Sequence, residues 1–556
     1  MNALLVYPLF PQTFWSFEGA LALVGRKALL PPLGLITVAA LLPQEWNLRL
    51  IDRNVTPLTE REWAWADVVL LSAMIVQKND FLGIIRAAKR NLKPVAVGGP
   101  YVTAIPQEAE AAGADYLILD EGEITIPLFI QHIRAHGVMR RTDNSPAEKF
   151  SAGSEKPDLS STPIPRYDLL DRAAYDGMSV QYSRGCPFLC EFCDIIVLYG
   201  RRPRIKNPKQ LLAELDRLYE LGWRRSIFVV DDNFIGNKRS VKKLLAALLI
   251  WQQEHGFPFW FDTEASIDLA DDPELLEFMV RCHFGAVFIG IETPDVESLA
   301  LTRKHQNNRN PLIDSIRKIT RAGLRVMCGL IIGFDGEAKG AGQRIVSFIE
   351  STNIPTALLS MLQVLPNTGL WERLKGEGRL VQSSADLAQT SALNFVPTRP
   401  LSEIVTEYIE AFYALYDPRA YLRRTYHHFL EIGIRPCDQV PPGTRQLSVS
   451  RPQTVPQYLH EQLVIMRAFL ILCWRQGLLR ETRSVFWTYL ISIAFRKPGL
   501  LRHYLTVCAH NEHFLVYRER VVAEVKSQTI QLSDTVYIGQ STASLDAVQP
   551  FDKIGG

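Results

Sequence analysis

Over the first 140 residues, short apolar runs alternate with amphipathic stretches. ALLVY at 3–7, LRLI at 48–51, VVLLS at 68–72, VAV at 95–97 and YLIL at 116–119 predict strands, and 35–42, 80–91 and 106–112 carry a helical pattern between them. Strand alternating with helix is the signature of a parallel sheet with crossover helices. Residues 1–140 are therefore predicted to form a five-stranded, doubly wound, Rossmann-like domain, with its ligand site beyond the carboxyl ends of the strands.

The stretch RRTDNSPAEKFSAGSEKPDLSSTPIP is polar and rich in Ser and Pro, so 141–170 is predicted as a linker. A second alternation follows. Strands are predicted at 177–183, 226–231, 259–264, 286–290, 325–332 and 357–364, with helices at 208–221, 238–255, 273–281, 310–322 and 340–352. Six such units over 171–400 predict a partial (β/α)6 barrel whose functional groups sit at strand carboxyl ends. The fold class is thus α/β, followed by a helical C-terminal domain over 401–530 and a flexible tail over 531–556, where periodicity fades. The helical region interleaves Tyr408, Phe412, Tyr413, Tyr416, Tyr421 and Tyr426 with Arg419, Arg423 and Arg424, and later sets Phe486, Trp487, Tyr489 and Phe495 beside Arg496 and Lys497. That composition fits a helix core with solvated charges opposite it, or a basic aromatic face in peripheral contact with a membrane.

Composition narrows the classes. With 61 basic and 59 acidic residues the chain has no general attraction for phosphate backbones, so nucleic acid is not expected as a partner. The start, MNALLVYPLFPQTFW, has no basic leader and is broken by Pro8 and Pro11, which predicts a cytoplasmic protein. The apolar stretches 463–474 and 485–495 fall short of the ~18 residues a span needs and read as buried or interfacial helices.

Of eight cysteines, Cys186, Cys190 and Cys193 form CxxxCxxC in SRGCPFLCEFCD, just after the first barrel strand, while Cys282, Cys328, Cys437, Cys473 and Cys508 are scattered. Three thiolates on one loop can hold three irons of a [4Fe–4S] cube and leave the fourth open. Zinc would need a fourth ligand, and the next histidine is His255, 62 positions beyond Cys193. Three buried core cysteines are the remaining reading. Polar groups gather at later strand ends: Asp231, Asp232 and Asn233 in FVVDDNFIGNKR, Glu264 in FDTEAS, and Glu292 and Thr293 in FIGIETP. Asp231 or Asp232 could equally cap the next helix. Gly329 and Gly333 in GLIIGFDGE fit close backbone approach to a ligand or a turn. Cys328 fits either the barrel interior or the core, and His427 and His428 have no evident metal partner. In the first domain the strand-end turns hold small residues: Ser72, Ala73 and Met74, then Gly98, Gly99, Pro100 and Tyr101, then Glu121, Gly122 and Glu123. Such glycines admit a large flat ligand and are also common in ordinary turns.

The cysteine loop and the barrel that follows resemble the radical S-adenosylmethionine (SAM) enzymes. The resemblance implies that SAM chelates the open iron through its amino and carboxylate groups, and that cluster reduction releases a 5′-deoxyadenosyl radical. Phe192 stands where that family places an aromatic beside the adenine. Asp231, Asp232, Asn233, Glu264, Glu292 and Thr293 become the implied SAM contacts. PPLGLITVAALL, IDRN, VGGPYVT and LDEGE resemble the cobalamin-binding domain of B12-dependent radical SAM enzymes, making the three small-residue turns the implied cobalamin contacts. The DxHxxG motif that gives many such domains a cobalt-ligating histidine is absent, and His132 and His136 follow the last strand. A lower axial face without histidine, covered by Met74 or its neighbours, is the expectation. CEFCDIIVLYGRRPRIK, VDDNFIGNKR, GIETP and LPNTGLWERL look most like the hopanoid C-2 methylases, over roughly residues 1–530. That resemblance implies a cobalamin-dependent radical SAM C-methyltransferase. It would act on an unactivated carbon of a hopanoid or other lipid, or of another small molecule, with electrons from a flavodoxin or ferredoxin. Two alternatives stand beside it: a radical cyclase, oxidase or rearrangement enzyme using the same cofactors, and a noncatalytic cobalamin-binding sensor.

Overall fold

Runs such as VVLL at 68–71 and VAV at 95–97 are buried on both faces, as parallel strands covered by helices must be. They pair in a wholly parallel sheet: β1 (Asn2–Tyr7), β2 (Asn47–Asp52), β3 (Val68–Ser72), β4 (Val95–Gly98), β5 (Tyr116–Ile118) and β6 (Glu148–Phe150), ordered β2-β1-β3-β4-β5-β6. The sequence predicts five strands. The sixth comes from the polar stretch read as linker, whose Phe150 enters the core beside Tyr116 and Phe129 while Glu148 and Lys149 stay exposed. The order reverses between β2-β1 and β3, which opens a crevice at the carboxyl ends of β1 and β3. This computed structural model describes residues 1–142, 145–381, 393–435 and 455–545, so Cys437 lies outside the described residues.

The second sheet contains β7 (Gly177–Val180), then, after a short antiparallel pair β8 (Ser183–Arg184) and β9 (Arg204–Ile205), β10 (Ser226–Val229), β11 (Trp260–Ala265), β12 (Phe284–Glu292), β13 (Arg325–Ile332) and β14 (Ala357–Met361). All six are parallel in the order β14-β13-β12-β11-β10-β7, an open partial barrel. The predicted first barrel strand, 177–183, is interrupted because the Tyr182 amide turns to the Asp231 carboxylate at 2.7 Å. Its outer helices begin on local signals. Pro208–Glu220 has Pro at its first position and Asn207 and Gln210 capping each other.

Helix Leu401–Leu415 lies on β14 and on helix Ala341–Thr352. Contact with the latter requires Gly342, where a Cβ would stand 2.5 Å from the Glu407 carbonyl oxygen. Tyr408, Phe412, Tyr416 and Tyr421 are wholly buried, and the Tyr416 hydroxyl donates to the Ala357 carbonyl at 2.6 Å. Arg424, also buried, donates to Glu350 at 2.7 Å. The tyrosine-rich segment is therefore core, which removes the membrane-face reading from those residues. The last helix, Leu501–Leu545, runs past residue 531, where the sequence reading places a flexible tail. Residues 546–556 lie outside the described residues.

Candidate active site at the facing strand ends

The carboxyl edges of the two sheets are joined to each other at two places. Asn367, beyond β14, donates to the Ala104 carbonyl, beyond β4, at 3.4 Å. On the other side Arg184 donates to Glu121 at 2.8 Å and to Glu123 at 2.8 Å, and Arg204 donates to Glu121 at 2.7 Å. Burial pushes the Glu123 carboxyl up, but the Arg184 guanidinium holds it below its ordinary range. Glu121 and Glu123, read from sequence as cobalamin contacts, are thus engaged with barrel arginines, and Gly122 between them opens helix Gly122–His136.

The cysteine loop faces the space so enclosed. Glu191 staples it: its amide donates to the Thr302 carbonyl at 3.1 Å, its carbonyl accepts from Leu370, and its carboxylate takes the Arg373 Nε at 2.8 Å. Cys190 is buried, and Cys186 and Cys193 are half-buried. Asn233 Nδ2 donates to Cys186 Sγ at 3.9 Å and Gln306 Nε2 to Cys190 Sγ at 3.6 Å. Lys304 is buried in an ion pair with Glu292, and its ammonium lies 5.8 Å from the centre of the Phe192 ring and acts on Cys190 and Cys193. Burial pushes the Cys186 and Cys193 thiols up, with the Cys190 thiol adding to it, so metal is needed to take their protons. Among the described residues no three His, Cys, Asp or Glu side chains converge on one ion. Zinc would draw its ligands onto a single centre, whereas a cube spreads three sulfurs over three irons. Three thiols on one loop, two N–H donors to sulfur and a buried cation fit the cube.

Beside the loop stand three carboxyls. Asp231 is buried, accepts from the Tyr182 amide and from Ser183 Oγ at 2.6 Å, and has its pKa raised by burial to about 6. It serves the end of β7, and Asn237 rather than an aspartate caps the next helix. Asp232 keeps one buried oxygen, Oδ2, without a partner; burial and the Asp231 charge raise its pKa to about 7. Glu264 lies on the inner face of the barrel, in register with Phe288, and burial with the charges of Asp232 and Asp231 raises its pKa to about 8. Two enclosed acids without a cation are suited to a ligand bearing ammonium or hydroxyl groups. The other implied SAM contacts are committed elsewhere. Asn233 holds Cys186 and Ser266, Glu292 holds Lys304, and the Thr293 hydroxyl accepts from the Asp295 amide at 3.1 Å. Phe192 packs on Phe334 at 5.8 Å. Cys328, in register with Ile289 and Ala357, faces the helix-covered core.

At the first domain's crevice Met74 is half exposed, next to half-buried Ser72 and buried Ala73. Gly99 has φ 92°, and a Cβ there would meet Ser72 Oγ at 2.5 Å, so the β3 and β4 turns pack closely only through glycine. Pro100 begins the helix Pro100–Ala104, and Tyr101 is buried with its hydroxyl on Glu108, so its ring serves the core. A Cβ on Gly98 would meet the Ile118 carbonyl oxygen at 2.8 Å. What this turn offers a ligand is backbone. His132 and His136 sit on helix Gly122–His136, and His132 packs on Tyr116 and Phe150.

Comparison with known proteins agrees with this geometry. The B12 binding domain matches residues 20–130, the radical SAM superfamily residues 180–349, and a domain of unknown function residues 368–527. An uncharacterized methyltransferase of Synechocystis sp. is 57% identical over 532 residues, 95% of this chain and 94% of that protein. The hopanoid C-2 methylase of Rhodopseudomonas palustris is 35% identical over 516 residues, 92% of this chain and 93% of the methylase. The chain belongs to the cobalamin-dependent radical SAM methyltransferases. Its cofactors are a [4Fe–4S] cluster, SAM and cobalamin. The cobalamin-dependent radical SAM enzyme OxsB shares the fold with a TM-score of 0.56 at 16% identity, covering 96% of this chain and 84% of OxsB. The methyltransferase TsrM of Kitasatospora setae does so with a TM-score of 0.54 at 14% identity, covering 68% of this chain and 76% of TsrM.

Several functional groups of this methyltransferase escape sequence reading. Gln306 reaches the Cys190 sulfur from a short turn, His305–Asn308, that carries no motif, and Lys304 stands at the head of that turn. Arg184 and Arg204 sit in the cysteine-loop hairpin, where nothing local names their acidic partners 61 to 83 positions away. Trp15 follows β1 and stands 5.5 Å from Phe288 on the inner barrel face.

Proposed function

We propose that this methyltransferase adds a methyl group to an unactivated carbon of an apolar polycyclic lipid of the hopanoid class. When bound, the cluster and SAM supply a 5′-deoxyadenosyl radical that takes a hydrogen atom from such a carbon, and cobalamin supplies the methyl group. Cys186, Cys190 and Cys193 would hold the cluster, and Asn233 and Gln306 would donate to its sulfur ligands. Phe192 would flank the adenine, and Asp232 and Glu264 would accept the SAM ammonium or ribose hydroxyls. The backbone of the turns at Ser72–Met74 and Gly98–Gly99 would line the corrin, and the half-exposed Met74 side chain would pack against it. Phe288, Met327, Ile331 and Leu358 share the inner face of the barrel with Glu264 and offer the substrate an apolar wall. A flavodoxin or ferredoxin would deliver the electrons.

The observation that carries this reading is the opposition of the two carboxyl edges, held by Arg184 and Arg204 on one side and Asn367 on the other. Two reagents from two domains must reach one carbon, and fixed opposition is what positioning requires. Support for the lipid class comes from the 35% identity to the hopanoid C-2 methylase. Anaerobic turnover with methyl-labelled SAM and a hopanoid such as diploptene tests it. Labelled, methylated hopanoid is expected; SAM cleavage with an unlabelled, cyclised or oxidised product would overturn the methyl-transfer reading. Label on a tetrapyrrole or peptide but not on hopanoid would overturn the substrate.

A further inference from the structure

We infer that the C-terminal domain docks on an anionic phospholipid surface through the exposed faces of helices Val455–Trp474 and Arg483–Arg496 and the turn between them. Leu463, Met466, Leu470 and Trp474 recur every three or four positions, so they share one face of the first helix, and they stand 56–68% exposed. Trp487, Ile491 and Phe495 recur every four on the second, and Phe495 is 85% exposed. The turn, Arg475–Leu479, adds exposed Leu478 and Leu479. It is packed against the second helix, since the Trp487 indole donates to the Gly477 carbonyl at 2.9 Å and a Cβ on Gly477 would strike that indole at 2.8 Å. Scattered exposed apolar residues are ordinary, but aligned rows of this size mark an interaction site.

Charge selects the occupant. Arg467, Arg483 and Arg496 accompany the rows and make no ion pair among the described residues; Arg475 and Arg480 pair with Glu512, and one exposed acid, Glu481, stands between the two helices, so arginine outnumbers acid along this surface. Apolar rows bordered by arginine and tryptophan suit the headgroup boundary of a bilayer that carries negative lipids. The stretch Gln462–Leu479 is long and apolar enough to cross a membrane, with mean hydropathy 1.3, but two arginines fall within it. Its helix also packs against helix Glu18–Leu23 of the first domain, so it lies along the protein and presents one side. The lipid surface is thus met edge-on, and this holds whatever the methyl acceptor is.

Flotation of the full-length, cofactor-loaded protein with vesicles of phosphatidylcholine alone, or of equal parts phosphatidylcholine and phosphatidylglycerol, tests the inference. Binding is expected to the anionic vesicles, weakened by salt and by about fivefold for each of R467Q, R483Q and R496Q. L470E with F495E should abolish it while leaving circular dichroism and iron content unchanged. Should that pair fail to fold, the arginine variants, which change only exposed charge, carry the test alone. Absence of binding to both vesicles, or equal binding to both, would overturn the inference. So would a dimer in solution that F495E dissolves, or resistance of the membrane-bound chain to alkaline carbonate.

Discussion

Chemistry at the cysteine loop depends on single side chains that no local pattern announces. Changing Cys186, Cys190 or Cys193 to Ala is expected to abolish the iron and sulfide content of anaerobically reconstituted protein. Q306A is subtler. Losing its N–H contact to Cys190 Sγ should leave the iron in place, lower the cluster's reduction potential and slow SAM cleavage about 10- to 100-fold, as loss of an outer-shell partner does. Voltammetry and deoxyadenosine release measure both. Glu264 predicts a pH dependence. Its pKa is about 8 in the folded, ligand-free protein against 4.5 unfolded, so the folded state holds the extra proton. Stability from this group is complete below pH 4.5, falls as pH rises, and is fully lost above about pH 8. E264Q should lessen the slope in urea titrations between pH 5 and 8, where Asp231 and Asp232 also titrate, and weaken SAM binding.

At the scale of elements, the strands were legible because apolar runs of four to nine residues bounded by turns have few other uses. β6 was not, because EKF is short, polar and pays no visible hydrophobic signal; only pairing with β5 makes it a strand. The aromatic helices illustrate the opposite case. Tyr416 and Tyr421 read equally as surface or core, and the hydroxyl contacts to Ala357 and Val507 place them in the core. Gly99 connects two elements through its positive φ and its contact with Ser72. G99A should destabilise the chain by about 1–3 kcal/mol and reduce cobalamin retention, as equilibrium unfolding and cobalt analysis would report.

Across the whole molecule, the joint made by Arg184, Arg204, Glu121 and Glu123 sets how far apart the two cofactor-binding edges stand. Both carboxylates keep only 4% side-chain exposure; R184M leaves Glu123 buried without a cation and Glu121 with Arg204 alone, and is expected to cost about 3–5 kcal/mol. The cluster and SAM cleavage should survive it, while methyl transfer per deoxyadenosine formed falls; a ratio equal to that of the parent protein would show that the joint does not position the domains. Two parallel α/β units, a three-thiol loop after the first barrel strand and the family were readable from the residues in order, since periodicity and close spacing are local properties of a chain. Which acids stay open for a ligand and which are spent emerges from the folded arrangement alone. Asp232 and Glu264 remain open while Glu121, Glu123 and Glu292 are neutralised by cations brought in from elsewhere in the chain, and a carboxylate's partner across such distances is chosen by packing.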